Sequence, residues 1–134
     1  MVIWVTGISG AGKTTFAKHL YDILRLQLKQ VVHLDGDELR QDLQFTDSQH
    51  YDRESRLKLG LTYAKLANTL SNQNLIVILS TISLFKEIHA WNRKNIKEYL
   101  EILLNPPIEI ICARDPKGLY SKFKKFSKTN IAGL

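Results

Sequence analysis

The chain has 134 residues, 44% hydrophobic and 24% charged, a balance that fits one globular domain with a buried core and argues against a disordered chain. The longest aliphatic run, Leu75 to Leu79, is far short of the roughly 20 residues of a spanning helix, Met1 to Val5 is too short for a secretory leader, and the single Cys112 excludes an internal disulfide. The expectation is a cytoplasmic protein whose net charge of +6 is concentrated in residues 114–134, where Arg114, Lys117, Lys122, Lys124, Lys125 and Lys128 face only Asp115.

Val2 to Thr6 is a β-branched and aromatic run that stops at a glycine-rich turn, Gly7 to Gly12, after which Phe16, Leu20 and Leu24 recur at helical spacing. Gln30 to Leu34 predicts a second strand, broken by Asp35-Gly36-Asp37. Between Arg53 and Asn72, one apolar set of Leu57, Leu61 and Ala64 and another of Leu59, Tyr63, Leu66 and Leu70 predict a helix with a wide buried face. Leu75 to Ser80 is apolar on both faces and reads as a buried parallel strand. A helix around Ile88, Trp91 and Ile96, a strand at Tyr99 to Leu104 and a short helix from Pro106-Pro107 to about Arg114 complete the alternation. Such alternation predicts a single α/β domain over residues 1–134, a mostly parallel sheet covered by helices on both faces in three layers.

Gly7-Ile8-Ser9-Gly10-Ala11-Gly12-Lys13-Thr14 fits G-x-x-x-x-G-K-[ST], and it lies between a strand and an amphipathic helix, as that pattern requires. Glycines let successive amides point inward, and the helix that follows adds its positive end, so the loop can bind the phosphate oxygens of ATP. Gly7, Ser9, Gly10, Ala11, Gly12, Lys13, Thr14 and Thr15 are the candidate contacts. Lys13 is expected against the β- and γ-phosphates, and the Thr14 hydroxyl against Mg²⁺. The bland alternative is a glycine-rich turn that happens to contain lysine. The run that a guanine-specific site shows, N-K-x-D, does not occur in the chain, and Asn92-Arg93-Lys94-Asn95 resembles it only superficially.

Asp37 and Arg40 stand three apart just beyond the second strand, so a helix starting there projects both toward the carboxyl ends of the strands, where ligands bind in such sheets. A carboxylate at that place can take the proton of an attacking hydroxyl, and an arginine can grip an anionic acceptor. The competing explanation is local, with Asp37 a helix cap and Arg40 exposed.

Four runs in order resemble the adenylylsulfate kinase family: Gly7 to Thr15; Leu34-Asp35-Gly36-Asp37 with Arg40; Asp52-Arg53; and Arg114-Asp115-Pro116-Lys117-Gly118-Leu119-Tyr120, the most specific of them. The resemblance implies a P-loop kinase fold and transfer of the ATP γ-phosphoryl group to the 3′-hydroxyl of adenylylsulfate, a step of sulfate assimilation. It implies small-molecule nucleotide substrates, neither nucleic acid nor membrane as partner, and a homodimer. Asp37 matches the family's catalytic carboxylate beside Lys13, Arg40 and Arg53 match arginines of the acceptor site, Lys117 matches a lysine of the lid, and Arg114 falls on the ATP side. The basic segment at about 115–130 is then the lid.

Departures cluster on the acceptor side. Where the family has Ile-Ser-Pro and an arginine, this chain reads Ile82-Ser83-Leu84-Phe85-Lys86, and Arg56 replaces an asparagine. The family's Phe-Thr-Gly run is Ile131-Ala132-Gly133 here, with Phe45 or Tyr51 as the other candidate aromatic against adenine. Members also continue past the position of Leu134 with another strand and helix, whose lack would leave a sheet edge exposed. Two alternatives therefore stand beside adenylylsulfate phosphorylation: a kinase for another activated nucleotide such as cytidine diphosphoramidate, and a shortened chain that binds nucleotide without turnover. His19, His33, His50 and His89 lack ligand spacing, so they are expected in packing or surface roles.

Overall fold

A computed structural model describes residues 1–45, 52–115, 118, 120 and 121. Its elements run β1 (Val2–Thr6), α1 (Lys13–Arg25), β2 (Val31–Asp35), α2 (Gly36–Asp42), α3 (Arg53–Ser71), β3 (Ile76–Ser80), α4 (Lys86–Asn95), β4 (Tyr99–Leu103) and α5 (Ile108–Arg114). The four strands form one parallel sheet in the order β2-β3-β1-β4. This is the three-layer α/β/α arrangement of P-loop kinases. Most of the basic segment expected to act as a lid, Lys117 included, lies outside the described residues, as do Tyr51 and Ile131-Ala132-Gly133.

Strand alternation decides which residues meet which helices. Val2 and Trp4 of β1, with Val77 and Leu79 of β3, point to one face and pack against Tyr63, Ala64 and Ala67 of α3 and Ile88 of α4. Ile3 and Val5, with Ile78 and Val31, point to the other and pack against Ala17, Leu20, Tyr21 and Leu24 of α1. Trp4, Ile78 and Leu79 are fully buried, as a strand covered on both faces requires.

The helix over α1 departs from the expected apolar spacing at one position. Phe16 is partly exposed and lines the cleft described below, so the buried stripe begins at Ala17. At α2 the cap is Asp35 and not Asp37, since the Asp35 carboxylate accepts from the Asp37 amide at 2.9 Å. Asp52 caps α3 by accepting from the Ser55 amide at 2.9 Å. Thr6 and Leu103 end β1 and β4 in register, and Asp35 pairs with Ser80 where β2 and β3 end. The segments that leave all four strands thus gather along the carboxyl end of the sheet, as an edge of loops.

Candidate active site

Along that edge runs a cleft of about 960 Å³. Its walls come from the loop before α1, the start of α2, the start of α3 and the segment after β3, with Arg114 at the end of α5. Ser9, Gly10, Ala11, Gly12, Lys13, Thr14, Thr15, Asp37, Arg40, Arg53, Arg56, Ile82, Ser83 and Arg114 all line it. Residues up to 105 positions apart in sequence are thereby collected in one place (Ser9 and Arg114).

The loop itself is set by backbone geometry. Gly7 has φ of 151° and a side chain there would meet the Leu104 carbonyl oxygen at 2.5 Å, so the loop lies directly on the chain leaving β4. Gly12 has φ of 91° and stands at the N-cap of α1, a left-handed conformation that glycine adopts without penalty. The first turn of α1 contains no acidic residue, which leaves its positive end open to an anion. Lys13 folds back over the loop, its Nζ donating to the Ile8 carbonyl at 2.8 Å. The Arg114 guanidinium reaches within 3.8 Å of where a side chain at Gly12 would begin, so it stands beside the loop.

Beneath the loop lies a polar relay that the sequence reading did not single out. Asp35, 7% exposed, accepts from Thr14 Oγ1 at 2.7 Å and from Ser80 Oγ at 3.0 Å. Ser80 Oγ is also 3.0 Å from His33 Nε2. Because the serine hydroxyl donates to Asp35, the His33 ring nitrogen is the donor to Ser80. Burial pushes the Asp35 carboxyl up, but hydrogen bonds from Thr14, Ser80 and the amides of Asp37 and Glu38 outweigh it and hold the group below its ordinary value. Burial lowers the His33 value despite the attraction of Asp35 and Glu38. Asp35 stands in the run Leu34 to Asp37, where the sequence points to Asp37 as the functional carboxylate. The available signal for Asp35 was its position as the last residue of a strand, next to the strand that ends in Ser80.

Asp37 is exposed in the cleft, two residues beyond this buried carboxylate. Arg40 turns its Nε to the Phe45 carbonyl at 2.9 Å, which fixes the chain leaving α2. The Tyr63 hydroxyl donates to the Gly36 carbonyl at 2.9 Å from α3 and ties that helix to the start of α2. Thr6 Oγ1 donates to the Ile82 carbonyl at 2.6 Å, and Thr81 and Ser83 hydroxyls meet at 3.1 Å, so the segment after β3 is held against β1.

Arg53 is engaged on the far wall. Its guanidinium donates to Glu87 Oε1 at 2.7 Å and stands 5.3 Å from the centre of the Phe85 ring. That hydrogen bond is the largest influence holding the Glu87 carboxyl below its ordinary value. Phe85 belongs to the stretch Ile82 to Lys86 in which the sequence departs from the family pattern, Glu87 follows that stretch directly, and the sequence gives no sign of their partnership with Arg53. No group of three or more His, Cys, Asp or Glu side chains suited to a metal occurs among the described residues. For Mg²⁺ the fit rests instead on the Thr14 hydroxyl, aimed by a buried ionised carboxylate at the mouth of a glycine loop. No helix among the described residues is long and apolar enough to cross a membrane.

The family model for adenylylsulphate kinase matches residues 1–134. A cytidine diphosphoramidate kinase from Campylobacter jejuni is 42% identical over 133 residues, covering 99% of this chain and 76% of that protein. A probable adenylyl-sulfate kinase from Archaeoglobus fulgidus is 37% identical, with coverage of 99% and 84%. Among solved structures, the Mycobacterium tuberculosis APS kinase CysC in complex with AMPPNP and APS superposes with a TM-score of 0.85 at 28% identity, over 99% of this chain and 78% of that one.

Proposed function

The chain belongs to the adenylylsulphate kinase family and is a phosphotransferase, and from that premise we propose that it moves the γ-phosphoryl group of ATP to a ribose hydroxyl of cytidine diphosphoramidate. The observation that carries the choice of acceptor is the Arg53–Glu87 pair beside Phe85. A phosphoramidate has an N–H group that donates hydrogen bonds, whereas a sulfate only accepts them. Glu87, through its contact with Arg53, brings an acceptor beside a cleft that Arg40, Arg53 and Arg56 line. The Campylobacter jejuni relative is also more nearly identical to this chain over the matched residues, at 42% against 37% for the Archaeoglobus fulgidus one.

In this reading, loop amides from Gly10 to Thr15 and the Lys13 ammonium bind the triphosphate, with Lys13 exchanging the Ile8 carbonyl for phosphate oxygens. Thr14, with Asp35 behind it, would hold Mg²⁺, which would supply charge neutralisation to the triphosphate. Asp37 accepts the proton of the attacking hydroxyl. The bond from that oxygen to the γ-phosphorus forms as the bond to the β–γ bridging oxygen breaks, and ADP leaves. Arg114, above Gly12, offsets negative charge on the moving group, and Arg40, Arg53 and Arg56 orient the acceptor's anionic end.

A second reading keeps adenylylsulfate as the acceptor, favoured by the family model and by the Archaeoglobus fulgidus relative. A coupled assay of ADP release with each acceptor separates the two, with Lys13→Ala as the inactive control. Cytidine diphosphoramidate is expected to give kcat/KM at least about tenfold higher, the size of one well-made polar contact. A preference for adenylylsulfate would install the second reading. Release of ADP with neither acceptor, from folded protein that binds ATP, would leave a nucleotide-binding chain without turnover.

A further inference from the structure

Tyr120 lies in the run Arg114 to Tyr120, and the reaction outlined above gives it no task. It is 6% exposed and packs with Ile111, Ile8 and Cys112 in a small core of its own, separate from the two clusters that flank the sheet. Its hydroxyl donates to the Ser9 carbonyl at 2.7 Å, across 111 positions of sequence. The backbone at this point is fixed in turn by Asp115, whose carboxylate accepts from the Tyr120 amide at 3.0 Å and from the Ser121 amide at 2.9 Å, with the Ser121 hydroxyl a third donor.

The consequence follows from the planarity of the peptide unit. In a trans peptide the C=O and the N–H of one plane point in opposite directions. Ser9 and Gly10 line the cleft while Tyr120 does not, so a Ser9 carbonyl drawn outward to Tyr120 turns the Gly10 N–H toward the cleft. Gly10 has φ of 80°, a conformation with little steric restraint of its own, so an outside hold on this plane has something to do. We propose that Tyr120 is a positioning residue for the phosphate loop, setting the Ser9–Gly10 peptide so that its amide faces the triphosphate before ATP arrives. Burial is the main cause of the raised Tyr120 value, with Cys112 and Asp115 adding to it, so the hydroxyl remains a donor throughout the neutral range. Asp115 then couples the chain beyond α5 to the loop through one side chain.

This rests on the reading that the loop binds ATP, and the test keeps the two apart. Tyr120→Phe retains the ring and its packing and removes only the donor. Calorimetric titration with magnesium-loaded ATP is expected to show affinity about five- to tenfold weaker than wild type, the effect of losing one buried hydrogen bond. KM for ATP should rise by a similar factor while KM for the acceptor stays put. Asp115→Asn, which weakens the support of Tyr120, should act in the same direction, and the double variant should fall short of the product of the two single effects. Equal ATP affinity in wild type and Tyr120→Phe would overturn the proposal. So would a parallel rise in both KM values with a lowered Tm, which indicates packing alone. No ATP binding by wild type would instead remove the functional reading. If Tyr120→Phe fails to fold, Asp115→Asn carries the same comparison.

Discussion

Asp35 and Asp37 have opposite surroundings although one residue separates them. Asp37 stands exposed at the cleft, so Asp37→Asn should lower kcat by about 10² or more while changing ATP affinity little, the pattern of a lost proton acceptor. Rapid-quench turnover beside calorimetry checks this, and equal losses in both would assign Asp37 a structural task. Asp35 is buried and accepts from Thr14, Ser80 and backbone amides, so its charge is bound up with folding. Its folded value lies below 3.8, hence its contribution to stability is complete above that pH and disappears as pH falls through the lower folded value. Asp35→Asn should therefore be less stable than wild type by about 1–3 kcal/mol at neutral pH, and the gap should close in strong acid. Urea unfolding at several pH values measures it. A gap that widened toward acid would show that the sign is wrong.

Strands were the most legible elements, because β1 and β3 are apolar on both faces and only a doubly covered parallel strand tolerates that. Their limits shifted by one residue where hydrogen bonding rather than apolarity ends a ladder, at Val31, Ile76 and Leu103. Helix α3 was legible in extent and less so in its buried face. Tyr63 and Ala64 of the predicted sets are buried and the predicted leucines only half-buried, whereas Gly60 and Ala67, outside both sets, are buried too, because small residues contribute little to a hydrophobic pattern. Size matters there because α3 and α4 approach closely. A side chain at Gly60 would run into Ile88 Cδ1 and stand 3.0 Å from Ser83 Oγ. Gly60→Ala should destabilise the protein by about 1–3 kcal/mol despite its better helix propensity, since overpacking outweighs the roughly 1 kcal/mol gained in the helix. Thermal unfolding decides it, and a raised Tm would mean that the two helices separate freely. Ser83 lines the cleft, so the same variant should also raise KM for the acceptor.

Across the whole molecule the cleft divides into a wall built by consecutive residues and a wall assembled from distant ones, and this division sets what a sequence can reveal. Gly7 to Thr15 is contiguous, so its chemistry could be read from spacing alone. The opposite wall depends on partnerships such as Arg53 with Glu87, 34 positions apart, which exist only after α3 and α4 pack on the same face of the sheet. Arginine at 53 was legible as a candidate acceptor contact; that a carboxylate accompanies it was not. The pairing sets a carboxylate beside one of the arginines of the cleft, which suits an acceptor whose terminal group both accepts and donates hydrogen bonds. Glu87→Gln keeps the size of the side chain and removes its charge. It should reduce kcat/KM for cytidine diphosphoramidate by about five- to tenfold, through loss of a charge-assisted hydrogen bond, and leave KM for ATP unchanged. Activity toward adenylylsulfate should hold or rise, because Arg53 is released to a sulfate group that offers only oxygen acceptors. Parallel losses with both acceptors, in the same coupled assay, would mean that Glu87 merely steadies Arg53 and that the basis of acceptor choice lies elsewhere on the wall.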